Sequence, residues 1–215
     1  MIATVNAGGW PITIEPVPGE DAHLEAAWRR WLPGRADSVI ARYREPHRRY
    51  HGVYHLARVV DGVGRLLAEV AVDDPATVVA AAFFHDAVYD PTSSTNEADS
   101  ARLAESTFTS WGSTRCAEVT RLILATAGHT ATDLPTAVLL DADLAVLGAE
   151  PAAYAAYARG VRAEYHHVDD SAWRVGRAAV LGSFLARPCI FQTASMQRLE
   201  ASARANLTAE LASLR

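Results

Sequence analysis

The stretch DDPATVVAAAFFHDAVYD, residues 73–90, decides how the rest of the chain is read. An Asp precedes Pro75, a pairing that suits a helix start, where a missing backbone N–H costs nothing. From Ala76 to Phe84 almost every residue is apolar, so no single face stands out. A helix that is apolar nearly all round belongs in the middle of a helical protein. The run then ends in His85 and Asp86. Burying a carboxylate is costly unless it is paired or binds a cation. The doublet therefore points to a positive charge in the interior.

The flanking segments read as further helices. Upstream, YHLARVVDGVGRLLAEV, with Val53 just before it, carries a wide apolar face through Val53, Leu56, Val59, Val60, Val63, Leu66, Leu67 and Val70, with gaps of three and four. Before it come DAHLEAAWRRWL, closed by Pro33 and Gly34, and ADSVIARYR, stopped by Pro46. Downstream lie NEADSARLAESTFTSW, ending at Gly112, and STRCAEVTRLILATAG, with Ser113 as its expected cap. DLPTAVLLDADLAVLG, EPAAYAAYARGVRAEYHHV, DDSAWRVGRAAVLGSFLARP and ASMQRLEASARANLTAELASL complete the series. No run alternates as a half-buried strand would. The expectation is an all-α, single-domain helical bundle over residues 21–215. Residues 1–20, with Gly8, Gly9, Pro11, Pro16, Pro18 and Gly19, read as an irregular N-terminal segment.

Length and composition agree with this. The 215 residues fit one large domain, and half of them are hydrophobic, enough for a sizeable core. The net charge is −5 and there is no long basic run, which argues against an extended nucleic-acid partner. The chain has no Lys, so its 20 basic residues are all Arg. Any phosphate clamp must use Arg, His or backbone N–H groups. Cys116 and Cys189 form no CxxC pair and read as free thiols. The N-terminus lacks a basic start and an apolar core, and no apolar run is long enough to span a bilayer. A cytoplasmic protein without a membrane partner is expected.

Four features carry chemistry. EPHRRYHGVYHL, residues 45–56, spaces His47, His51 and His55 by four. The His85–Asp86 doublet is followed four residues later by Asp90. ATAGHT places His129 just past an expected helix end. LLDADLAVLG carries Asp141 and Asp143 among apolar helical neighbours, so at least one of them is expected to meet a cation. Adjacent helical residues point about 100° apart, so His85 and Asp86 can share an ion only near the end of their helix. Imidazoles and carboxylates together suit a divalent transition metal such as Mn, Fe, Co, Ni or Zn.

The ordered pattern of His, then His-Asp, then Asp on successive helices resembles the HD superfamily of metal-dependent phosphohydrolases. The likeness covers about residues 40–165 and is nearest to a bacterial group of HD-type phosphohydrolases without an assigned substrate. YHGVYHLARV resembles the first-His segment, in which the ligand precedes a Val by four residues, and this selects His55 over His51. DADLAVLG resembles the last motif and selects Asp143, with Asp141 as the fallback. The resemblance implies one metal held by His55, His85, Asp86 and Asp143, with room for water and a phosphate oxygen. It implies hydrolysis of a small phosphomonoester or a nucleotide by metal-activated water.

Around that set, Asp90 and Glu97 are the candidate general acids or bases. Asp90 would lie one turn beyond Asp86 if the helix ran that far. His51, Arg48 and His129 are the candidate substrate contacts, with Arg48 able to hold a phosphate through two N–H groups. Arg162 and Glu164 are expected to pair with each other. The tyrosines 43, 50, 54 and 89 are expected to fill the core around the motifs. Two other readings stand beside the hydrolase. One is a non-catalytic helical module with a bound metal. The other is a di-iron oxygenase, which would need two further His ligands where only His129 is found. The C-terminal helix can cover the core or pair with a second subunit.

Overall fold

The computed structural model describes residues 19–215. The expected irregular segment lies outside the described residues except for Gly19 and Glu20. Ten α-helices and two short 3-10 turns are found among the described residues, with no strand. In chain order the helices are α1 (Glu20–Trp31), α2 (Asp37–Arg42), α3 (Val53–Glu69), α4 (Pro75–Phe84) and α5 (Asn96–Thr107). They continue as α6 (Ser113–Ala125), α7 (Leu134–Asp143), α8 (Pro151–Glu164), α9 (Asp170–Leu185) and α10 (Glu200–Ser213). The 3-10 turns cover Leu144–Gly148 and Met196–Leu199.

The centre is α4, as its composition demands. Every residue from Ala76 to Phe84 is buried. Helices α1, α3, α5, α6 and α7 pack around it. The α3 face anticipated from the sequence points inward through Leu56, Val59, Val60, Val63 and Leu66. Under α1, Trp28 meets Phe83 edge-on at 5.0 Å and stacks on Phe108 at 5.9 Å. Truncating a buried Phe such as Phe83 to Ala typically costs about 3–5 kcal/mol.

The last three helices form a second layer. The first 3-10 turn holds it, packing against α8 and α10. A Cβ on Gly148 would lie 2.6 Å from the Leu199 Cβ, so a residue without a side chain is needed at this crossing. No helix among the described residues is long and apolar enough to cross a membrane.

Two expected helix starts differ in detail. Asp74 occupies the cap position of α4, but its carboxylate bonds Arg115 at 2.7 and 3.0 Å instead of the helix N–H groups. Ser113 is the first helical residue of α6, with Gly112 in the cap position. Asp133 does cap α7, accepting from the Thr136 N–H at 2.9 Å.

Candidate metal centre

Three helix ends bring the site together. His55 lies in the first turn of α3. His85 is the residue that closes α4, and Asp86 follows it off the helix. Asp143 is the last residue of α7. The carbonyl ends of α4 and α7 thus lie at one place, and such ends carry partial negative charge that favours a cation. Because α4 stops at Phe84, the doublet escapes the limit set by helical geometry. Asp86 N–H donates to the Tyr43 hydroxyl at 3.2 Å rather than to a helical carbonyl.

The donor atoms converge. His55 Nε2 and His85 Nε2 are 3.1 Å apart. Asp86 Oδ2 lies 3.5 Å from the first and 3.3 Å from the second. His55, His85 and Asp86 offer ligand atoms all within 4.8 Å of one another, a group that could hold a metal ion. Asp143 Oδ1 lies 3.3 Å from His55 Nε2 and 3.7 Å from His85 Nε2. Around a metal with donors at about 2.1 Å, neighbouring donors are about 3.0 Å apart in an octahedron and about 3.4 Å in a tetrahedron. The separations among His55, His85 and Asp86 match such edges, while the 3.7 Å from Asp143 to His85 is longer and Asp143 lies outside that group of three.

The chemistry of the donors fits as well. His85 Nδ1–H donates to the Ala82 carbonyl at 2.9 Å. In the neutral ring this leaves Nε2 as a lone pair. That lone pair faces the Nε2 of His55, in a pair of side chains only 1% and 3% exposed. Two imidazole nitrogens with two carboxylates need a cation between them, either a proton or a metal. As a proton site, the cluster shifts its groups strongly. Burial pulls His55 down, but hydrogen bonds and charge from Asp143 and Asp86 outweigh it and raise the imidazole to about 9. His85 is raised in the same way, against burial, chiefly by the Asp86 charge. Asp86 and Asp143 are both held well below the usual carboxylate range despite their burial. The His85 charge is the main cause for Asp86, and the His129 hydrogen bond for Asp143.

The supporting side chains correct several sequence expectations. Arg48 is buried and bonds Glu45, the carbonyls of His51 and Asp86, and the Ala87 carbonyl. With the Tyr43 hydroxyl donating to the Phe83 carbonyl, it caps the end of α4. Its fork is filled by protein, so it is a strut behind the doublet and not a phosphate clamp. Asp141, the fallback ligand, faces away from the site. It accepts from the Gln192 and Thr193 N–H groups and the Thr193 hydroxyl at 2.7–3.0 Å, tying α7 to the C-terminal layer. Burial pushes its carboxyl up.

Glu164 does not pair with Arg162, which instead bonds Asp170 and two carbonyls. Its buried carboxylate accepts from three successive N–H groups, of Arg49, Tyr50 and His51, at 2.6–2.9 Å. Its second oxygen accepts from His51 Nδ1–H at 2.7 Å and the Tyr89 hydroxyl at 3.1 Å. His51 precedes α3, which starts at Val53, so the two histidines do not share a helical face. The Glu164 bonds still hold its ring 5.6 Å from that of His55. No short-range signal in the sequence marks Glu164, because its partners lie 75 to 115 residues away.

A cavity of about 700 Å³ opens beside the donors. Asp86, Asp143, His51 and His129 line it, and so does Glu97 from the first turn of α5. His129 Nε2–H donates to Asp143 Oδ2 at 3.2 Å. Its backbone is in the left-handed region, φ +46°, and Arg187 bonds its carbonyl. Asp90 is not on the cavity wall. α4 does not reach it, and its carboxylate accepts from the Thr92 N–H and hydroxyl in an exposed turn. Of the four tyrosines near the motifs, Tyr43 is core, Tyr54 bonds a backbone carbonyl, and Tyr50 and Tyr89 reach the cavity. No protein-family model, curated protein or solved structure matches the chain, so the geometry of this site carries the functional reading.

Proposed function

We propose that the protein is a metal-dependent phosphohydrolase of the HD type, acting on a phosphomonoester. One observation carries this reading. Two buried imidazoles and two carboxylates, drawn from three helix ends, bring donor atoms to 3.1–3.7 Å of the imidazole nitrogens on the wall of a cavity large enough for a substrate. His55, His85, Asp86 and Asp143 would hold one divalent metal. A metal there supplies a lowered pKa for bound water and a counter-charge for the phosphate.

The protein groups then have separate tasks. Arg48 and Tyr43 fix the Asp86 backbone. His129 holds the Asp143 carboxylate through Oδ2, leaving Oδ1 toward the two histidines. Glu164 fixes the tautomer of His51, so that Nε2 carries the lone pair and can accept a hydrogen bond from water or from a P–OH group. Glu97 is the cavity carboxylate suited to moving a proton. In the reaction the water oxygen bonds phosphorus and the ester P–O bond breaks. The water proton ends on the leaving alcohol, and inorganic phosphate is released.

The test is phosphate release from a panel of monoesters by protein loaded with Mn²⁺, Co²⁺, Ni²⁺, Fe²⁺ or Zn²⁺ in turn. Turnover that His85→Ala and Asp86→Ala both abolish, with helicity retained by circular dichroism, is the expected result. Metal bound at one per chain with no ester cleaved would instead favour a binding module.

A further inference from the structure

The cavity is much larger than a phosphate, and its wall is mixed in chemistry. The donor cluster supplies one part of it. Helices α8 and α9 and the residue after α8 add Tyr157, Val161, Tyr165, Trp173, Val180 and Phe184, with Phe184 5.6 Å from the His129 ring and Tyr157 4.6 Å from that of Tyr50. Along α9 the lining residues Trp173, Arg177, Val180 and Phe184 recur at gaps of three and four, so one whole face of that helix looks into the cavity. Val180 is 46% exposed there, an apolar residue that no protein neighbour covers fully.

The charges on the wall are just as uneven. Asp86, Glu97 and Asp143 are all acidic. Arg177 is the one Arg among the lining residues, and the chain has no Lys. Its Nε and Nη2 groups bond both oxygens of Glu210 at 2.7 and 3.0 Å, which neutralises the pair. With Asp86 and Asp143 given to the metal, a di- or triphosphate would still bring further negative charges past Glu97 and find no unengaged guanidinium among the lining residues. A single phosphate on the metal has no such need. A ligand site of this size, mostly apolar with a few polar groups, fits a molecule of the same polarity.

From this we infer the substrate class: phosphate monoesters of apolar alcohols, arylalkyl or alkyl, with the hydrocarbon seated between α8 and α9. The inference rests on the hydrolase reading for the phosphate end and on the α8–α9 wall for the rest.

A matched series separates the two. Ethyl, 2-phenylethyl and octyl phosphate, ribose 5-phosphate, AMP and ATP all join phosphate to a primary alcohol, so the leaving group hardly changes. For the metal-loaded protein, kcat/KM is expected to rise by about tenfold or more from ethyl to 2-phenylethyl phosphate and to exceed that for AMP, ribose 5-phosphate and ATP. Trp173→Ala and Val180→Asp should each shrink the 2-phenylethyl to ethyl ratio by about tenfold. Val180 is half exposed, so its substitution spares the core. Binding is read independently with the non-hydrolysable ethyl- and 2-phenylethylphosphonates by calorimetry. The second should bind about tenfold more tightly.

If no ester is cut but the phosphonates keep that order, the ligand class is supported and the hydrolase reading falls. If ATP, AMP or ribose 5-phosphate is cut faster than 2-phenylethyl phosphate, or the two phosphonates bind alike, the substrate class is overturned. Cleavage of any ester in that case leaves the hydrolase reading standing.

Discussion

His55 and His85 stand 30 residues apart in the chain, yet their Nε2 atoms are 3.1 Å apart, in side chains that are almost fully buried. Two neutral rings so placed set lone pair against lone pair unless one is protonated or both bind an ion. The stability of this protein is therefore expected to depend on metal. An ion at a hundred times its Kd adds about 2.7 kcal/mol, which is about 5–10 °C in Tm for a chain of this size. Thermal unfolding of protein stripped with a chelator, then reloaded, measures this. Equal midpoints would show that the histidines need no ion.

Asp141 and Asp143 are two residues apart and do different work. Asp143→Ala should weaken metal binding by more than the roughly 10–100-fold typical of an outer partner. Above pH 9, where His55 is neutral, it should leave the metal-free fold close to its original stability. Asp141→Ala should do the reverse. It strands the N–H groups of Gln192 and of the buried Thr193, at about 3–5 kcal/mol, while the folded fraction still binds metal. Calorimetric metal titration beside denaturant unfolding of both variants distinguishes them.

Glu164 holds His51 and the backbone of residues 49–51 with one carboxylate. Glu164→Ala leaves three N–H groups without their acceptor and should cost about 3–5 kcal/mol. Glu164→Gln keeps the size and one acceptor oxygen, so it should fold. The amide still presents an acceptor to the N–H groups, but it cannot match the charge that fixes His51. A fall in kcat of about tenfold or more with normal metal content is expected. His51→Ala should give a similar fall, and the double variant should lose little further.

The protonation of His55 sets the pH behaviour. Its pKa is raised from 6.5 to about 9 in the metal-free protein. A raised imidazole pKa stabilises the fold while the ring is protonated. The contribution is complete below pH 6.5 and fades as pH rises through 9, and it amounts to about 3 kcal/mol at most. Metal needs the neutral ring, so loading at about pH 7.5 should expel a proton. Metal titrations in two buffers of different ionisation enthalpy measure that proton. Identical heats in both would contradict it. Denaturation midpoints of metal-free protein should fall across the same window, and those of loaded protein should not.

Much of this was legible in local pattern. The apolar run of residues 76–84 placed α4 at the centre because nothing else buries such a helix. The spacing of Val59, Val60 and Val63 showed which face of α3 turns inward. His85 and Asp86 were legible because a polar doublet closing an apolar helix has a clear cost. What escaped the reading depends on distant partners. Arg48 looked like a phosphate clamp, since nothing near it in sequence shows that the carbonyls of Asp86 and Ala87 await it. Asp141 and Asp143 could not be told apart by burial alone, as both sit among apolar residues. The difference lies in Gln192 and Thr193, about 50 residues on. Asp90 was placed by assuming that α4 continues, whereas Tyr43 and Arg48 end it at Phe84.

The central claim is that one ion joins side chains from three helix ends. Anomalous diffraction at the metal's absorption edge, from crystals of metal-loaded protein, tests it most directly. The account predicts a single peak within about 2.0–2.3 Å of His55 Nε2, His85 Nε2 and the carboxylates of Asp86 and Asp143. A peak elsewhere, or no peak between the two imidazoles, would contradict it.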